Sequence, residues 1–281
     1  MSFDAREISN AGGTPTKLYH FFRSSGGTML HWRYTSAQED INVNGETWSA
    51  AAIEDEGVQV SGDAASEQVT IKVDSAVPFA KLFLGTPPSG VIYCNVWDTH
   101  VEEPTDRRLA FPGTVGGVGR EELNKANIVL NSLLGSLRRR GARKQWSRGC
   151  SNVLYDKDCT LNPNDWSVLV YVTAVNGYIV TTDNLAAFVP AGQQQSFANG
   201  GWVEYADLQN IHQRRAVSNQ DFNNLVMLGP TDGIVPGMLL RVTAGCRYNR
   251  DDCVNKFGNI ANYGGAPDQP GKSPFDGTIV F

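Results

Sequence analysis

Val168-Leu169-Val170-Tyr171-Val172 and Tyr178-Ile179-Val180-Thr181, joined across Asn176-Gly177, set the fold class of this chain. Both runs are rich in β-branched and apolar residues. Asn-Gly between such runs is a strong hairpin signal, because both central residues of the favoured tight turn take positive φ. Farther along, Gly237-Met238-Leu239-Leu240-Arg241-Val242 reads as another strand, so residues 165–243 are expected to form a small β unit. Just outside that unit stand two cysteine pairs, Cys150/Cys159 and Cys246/Cys253, with 86 residues between them. The β unit reads as an insertion between two halves of one thiol site.

The N-terminal half has the same character. Leu18-Tyr19-His20-Phe21-Phe22 and Met29-Leu30-His31-Trp32-Arg33-Tyr34 flank Ser24-Ser25-Gly26-Gly27 and read as a second hairpin. Val69 to Val73 alternates at period two, and Val91 to Trp97 does so more loosely after a turn at Pro87-Pro88-Ser89-Gly90. Val77 to Phe83 carries proline near its start and is predicted as a short helix. A basic stretch, Arg138, Arg139, Arg140, Arg143, Lys144 and Arg148, runs into Cys150. The domain boundary is placed there, giving a β-rich domain over 1–145 and a four-cysteine domain over 146–281, with a last strand at Thr278-Ile279-Val280-Phe281.

Composition narrows the function. With 41% apolar and 19% charged residues in 281, the chain is a folded globular protein, and its 29 glycines and 13 prolines suit a turn-rich β architecture. A formal charge of −5 argues against a general nucleic-acid binder or a membrane-surface protein, and no run of apolar residues is long enough to span a bilayer. Met1 to Glu7 has neither a basic nor an apolar leader segment, so folding in a reducing cytosol is expected.

The two thiol loops are alike: Gly149-Cys150 runs to Asp158-Cys159 around Tyr155, and Gly245-Cys246 runs to Asp252-Cys253 around Tyr248. Three readings compete. Two disulfides would suit a secreted domain, against the expected compartment. A structural zinc has the right ligand count, but the eight- and six-residue spacings exceed the two to four of zinc knuckles. A [4Fe–4S] cluster also takes four thiolates, and its bulk tolerates wider loops. Gly149 and Gly245 would let backbone N–H groups approach sulfur, with Asp158 and Asp252 turned away and Arg148, Lys157, Arg247 and Arg250 offsetting the anionic centre. Cys94, inside an apolar strand, is read as a small core residue.

Arg148-Gly149-Cys150-Ser151-Asn152-Val153-Leu154-Tyr155-Asp156-Lys157-Asp158-Cys159 resembles the cysteine-rich tail-tip hub proteins of long-tailed phages and gene transfer agents. So does Gly245-Cys246 to Cys253-Val254-Asn255-Lys256-Phe257-Gly258-Asn259, followed by Asn262-Tyr263-Gly264-Gly265. Lambda-like tail tips carry a related protein. The resemblance implies a mainly β chain, with an N-terminal β-barrel-like hub domain and a C-terminal domain holding a [4Fe–4S] cluster on Cys150, Cys159, Cys246 and Cys253. It further implies a non-enzymatic virion protein, assembled in the host cytoplasm into a homotrimeric ring at the tail tip. That ring would lie between the distal tail ring and the central fibre or receptor-binding proteins, beside other hub proteins and passing DNA.

Other chemistries find little support. No Gly-x-Ser-x-Gly elbow or His-Glu-x-x-His helix occurs, and His20, His31, His100 and His212 are scattered. Cys94 and His100 on one strand would stand about 20 Å apart. Gly265 to Ser273 mimics a phosphate loop, but has five residues between its glycines where four are needed, and two prolines that lack N–H groups. The arginines at 138–148 read as an interface or solvated linker rather than a DNA contact, and Trp166 and Trp202 as core. The runners-up are an electron-transfer or redox-sensing iron–sulfur protein and a zinc-stapled β binding module.

Overall fold

Alternation at period two builds both halves of the molecule. The computed structural model describes residues 3–9, 12–57, 68–122, 124–138, 147–207 and 210–269. The chain is mainly β and divides into two units, Met1–Arg139 and Arg140–Phe281.

In the first unit, α1 (Phe3–Glu7) precedes β1 (Pro15–Ser25), β2 (Thr28–Thr35), β3 (Ile41–Val43), β4 (Glu46–Ala50) and β5 (Ile53–Asp55). Then come β6 (Gln68–Asp74), α2 (Pro78–Lys81), β7 (Tyr93–His100), β8 (Arg108–Glu122) and β9 (Lys125–Ser132). The strands form a nine-stranded sheet in the order β3-β4-β2-β1-β7-β8-β9-β6-β5. The predicted β1–β2 hairpin turns at Gly26 and Gly27, both at positive φ, and Pro78 opens the predicted helix. The strand predicted from Val91 starts at Tyr93. Val69, Ile71 and Val73 of β6 point into a core with Phe21, Ile128 and Leu130, and Phe79 of α2 stacks on Phe21 at 4.1 Å. Cys94 sits fully buried in that core, as its apolar strand suggests.

The backbone ladder of this sheet is open at β3 and β5. Side chains draw edge strand β5 towards β1: the Asp55 carboxylate accepts from Lys17 Nζ at 2.8 and 2.9 Å, from Tyr19 Oη at 2.8 Å and from the Gly57 amide at 2.9 Å. Burial, reinforced by the Asp55 charge, pushes the Tyr19 phenol far up, so it remains a donor.

In the second unit, β10 (Ser167–Asn176), β11 (Ile179–Thr182), α3 (Leu185–Phe188), β12 (Trp202–Ala206), β13 (His212–Asp221), β14 (Asn224–Met227) and β15 (Leu239–Thr243) follow in order. The six strands close into a barrel, β10-β11-β14-β13-β12-β15. The predicted hairpin turn falls one residue later, since Asn176 pairs with Ile179, leaving Gly177 and Tyr178 at its centre and only Gly177, at φ 59°, in the left-handed region. Register shifts at Val172/Ala174 and Val217/Asn219 bend β10 and β13, as closing so small a barrel requires. Val170, Val180, Leu225, Leu240 and Val242 fill the interior. The full closure thus lies in the C-terminal unit, between the two cysteine pairs. Trp166 belongs to its core, packed against Phe257 at 4.8 Å.

Candidate metal centre

The barrel places the thiol loops. β10 is entered from the first loop and β15 leads into the second, and Ser167 pairs directly with Thr243. Both pairs of cysteines therefore emerge at one end of the barrel, although 86 residues separate them in sequence. Gly245 is required at this exit, but not for a sulfur contact: a Cβ there would lie 2.0 Å from the Gly201 amide nitrogen and 2.2 Å from the Asn199 carbonyl. The close approach that the sequence suggested is to the β12 entry segment.

Each loop is shaped by its own polar side chains. Asp156 Oδ1 accepts from the amides of Asp158 and Cys159 at 2.9 and 2.8 Å, which folds the first loop's end. Tyr155 takes φ 65° and sends its hydroxyl back to the Ala244 carbonyl at 2.8 Å. In the second loop Tyr248 takes φ 59°, and the buried Asp252 accepts from the Arg247 amide and guanidinium. A single π-helical turn, Asp252–Lys256, follows and carries Cys253.

The loops meet directly. The Cys150 amide donates to the Tyr248 carbonyl at 2.7 Å. Cys246 Sγ accepts from the Tyr248 amide, and Cys150 Sγ from the Gly264 amide, each at 3.3 Å. Cys253 Sγ donates to the Asn259 carbonyl at 3.1 Å, and Asn259 Nδ2 lies 2.6 Å from the Cys159 carbonyl and 3.9 Å from Cys159 Sγ. All four thiols are free and half-buried. Burial pushes the Cys253 thiol up, and Cys150, Cys246 and Cys159 raise it further. All four thus share one electrostatic neighbourhood, where several thiolates without a compensating cation would repel one another.

Among the described residues, no three side chains of His, Cys, Asp or Glu are grouped tightly enough to hold a single metal ion. Two of the four sulfurs accept from backbone N–H groups. Four thiols are a donor set used both by mononuclear zinc sites and by [4Fe–4S] clusters.

The surrounding charges differ from those expected. Arg247 is engaged by Asp252 at 2.6 Å and Asp251 at 3.6 Å, and Arg148 Nε donates to the Gln269 carbonyl at 2.8 Å. A half-buried cation beside the second loop is Lys256, whose ammonium donates to the carbonyls of Ser196, Phe197 and Gly245 at 3.1, 2.7 and 2.7 Å. Burial holds its pKa down to about 8. Lys256 stands in the hub-like motif, but the motif does not say what it bonds, because its partners are backbone oxygens.

Residues 9–162 match the family model described as "Baseplate hub protein, N-terminal attachment domain". The chain belongs to this family. Residues 196–273 of this hub-family chain also match the model "Phage conserved hypothetical protein BR0599", so the two matches take in both cysteine pairs. A chain of the solved structure "Virion of native gene transfer agent (GTA) particle" has the same fold, with a TM-score of 0.76 at 17% identity over 99% of this chain and 96% of that one. No curated protein matches the sequence. The tail-hub resemblance read from the cysteine motifs thus holds, and the chain is a structural baseplate protein of the phage-tail type.

The remaining sequence candidates lie apart from the thiols. His100 is buried against the Phe3 ring, with Glu7 at 3.1 Å, and His20 Nε2 faces His31 Nδ1 at 2.9 Å. His212 begins β13. Trp202 is half-buried between Tyr155 and Arg214. Gly265 to Gln269 form a turn pinned by the Ala266 amide on the Ser147 carbonyl. The rest of the phosphate-loop mimic, the side chain of Arg138, all of Arg139, Arg140, Arg143 and Lys144, and the terminal strand lie outside the described residues. Among the described residues no helix is long and apolar enough to cross a membrane.

Proposed function

We propose that this chain is a non-enzymatic ring subunit of the tail tip, in which Cys150, Cys159, Cys246 and Cys253 hold a structural [4Fe–4S] cluster. Three copies form the ring that joins the tail tube and distal tail ring to other hub proteins and the central fibre or receptor-binding proteins. The domain over 1–145 attaches, and the one over 146–281 carries the metal-stapled barrel. The observation that carries the cluster is the meeting of four free thiols at one end of a closed barrel, with amides donating to two of the sulfurs.

When bound, the cluster supplies a covalent cross-link between the two loops. The chain's own residues do the rest: Tyr248 and Gly264 offer N–H groups to sulfur, and Asp252 is neutralised by Arg247 instead of facing the thiolates.

Metal and acid-labile sulfide analysis of anaerobically purified protein, with its visible spectrum, tests this reading. Brown protein with iron and sulfide in near-equal amounts is expected. One zinc per chain in colourless protein would replace the cluster with a mononuclear site, and metal-free protein with oxidised thiols would sink both.

A further inference from the structure

Residues 259–266 do more than follow the last cysteine. Asn259 touches both loops: its amide donates to the Cys253 carbonyl at 2.7 Å, its carbonyl accepts from Cys253 Sγ at 3.1 Å, and its side-chain amide donates to the Cys159 carbonyl at 2.6 Å. Asn262 holds that side chain in place, giving Nδ2 to Asn259 Oδ1 at 2.7 Å and to Thr160 Oγ1 at 2.9 Å. The segment then runs back along the first loop. Asn152 Nδ2 donates to the Asn262 carbonyl at 2.9 Å, Tyr263 Oη to the Arg148 carbonyl at 2.6 Å, and Ser151 Oγ to the Gly264 carbonyl at 3.0 Å. At its end the Gly264 amide reaches Cys150 Sγ.

We propose that Asn259 to Gly264 forms a clasp that positions the thiols across the two loops and closes over the cluster, with Asn259 and Gly264 as its positioning residues. This rests on the cluster reading above. The clasp ties Cys159 to Cys253 at one end and hydrogen-bonds Cys150 at the other, so it couples three of the four ligands without being one of them. Its bonds run to backbone carbonyls, to sulfur and to the side-chain oxygens of Asn259 and Thr160, so the geometry depends on these polar contacts more than on apolar packing. Gly264 leaves no spare room: a Cβ there would lie 2.6 to 2.9 Å from the Asn152 side chain and would lift the amide from the sulfur.

The test is iron release from anaerobically loaded protein to a ferrous chelator, together with the electron paramagnetic resonance spectrum of the reduced cluster. Asn259→Ala and Asn259→Asp, which keeps the shape but loses the donor, are expected to release iron at least tenfold faster than the parent. Gly264→Ala should release it severalfold faster and shift the spectrum, because one N–H···S bond is lost. Thermal unfolding of the barrel is measured alongside and should be unchanged. Release at the parent rate with an unchanged spectrum in all three variants would overturn the clasp while leaving the cluster standing. A parent protein without iron and sulfide would overturn the cluster, and the clasp with it.

Discussion

The two units complete their β structure by different means. The N-terminal sheet leaves its ladder open at β3 and β5 and fixes β5 with a buried carboxylate, Asp55, shared by Lys17 and Tyr19. The C-terminal barrel closes its ladder entirely, yet its flanking arms, 147–166 and 244–269, contribute few buried side chains, Asn152, Ala244, Asp252 and Phe257 among them. One unit has an apolar core that accounts for its order. In the other the barrel core reaches the arms through Ala244 and Phe257, with Leu154, Leu161 and Trp166 packed against it, and hydrogen bonds order the rest of the loops. A loop pair with so small a share of the core would gain from a cross-link, as small domains gain from disulfides or metals.

The largest effect follows from that contrast. Removing the metal, or Cys150→Ala, should release a constraint across the 86-residue excursion, worth roughly 4–5 kcal/mol if ligation restrains the chain as a disulfide does. Hydrogen exchange should rise across 147–166 and 244–269 while the barrel strands stay protected. Normal folding and assembly of Cys150→Ala protein would end the structural-cluster reading. Next, Leu225→Ala in the barrel or Ile128→Ala in the N-terminal core should each cost about 2–5 kcal/mol. Calorimetry should show only the unit carrying the change melting earlier; a common shift of both would mean that they unfold together. Asp55→Ala should cost the N-terminal unit roughly 3 kcal/mol, since Lys17 and Tyr19 lose their shared acceptor. A variant as stable as the parent would show that β5 is held by other means.

The smallest effect is a pH dependence. Burial, then the charges of Arg33 and His31, holds His20 down to about 4. Between that value and about 6.5 the unfolded chain binds the proton and the folded chain does not, so stability falls as pH falls through this window. The loss should be on the order of 1 kcal/mol after solvent screening and absent in His20→Gln protein, as read by urea unfolding at pH 7 and pH 4.5.

Much of this was legible in the residues. Val69, Ile71 and Val73 alternate because one face of β6 is buried, and Gly26-Gly27 and Gly177 mark turns that need positive φ. The cysteine motifs pointed to the hub family because their residues stand close together in sequence. Other features were not legible. Lys256 and Asn259 stand in the hub-like motif, yet the motif does not say what they bond, because their partners are carbonyls that carry no sequence signature. Arg247 was expected to serve the thiols, but the nearer Asp252 takes it.

The sequence by itself determined the β class, the hairpin turns, the buried Cys94 and the four thiols, all of which depend on period, turn chemistry or residue type within a few positions. Only the tertiary structure decided that the closed barrel is the C-terminal one, that Asp55 of β5 bonds Lys17 and Tyr19 of β1, and that one segment hydrogen-bonds both thiol loops. Those outcomes depend on which distant backbones come together, and backbone N–H and C=O groups are nearly the same at every residue.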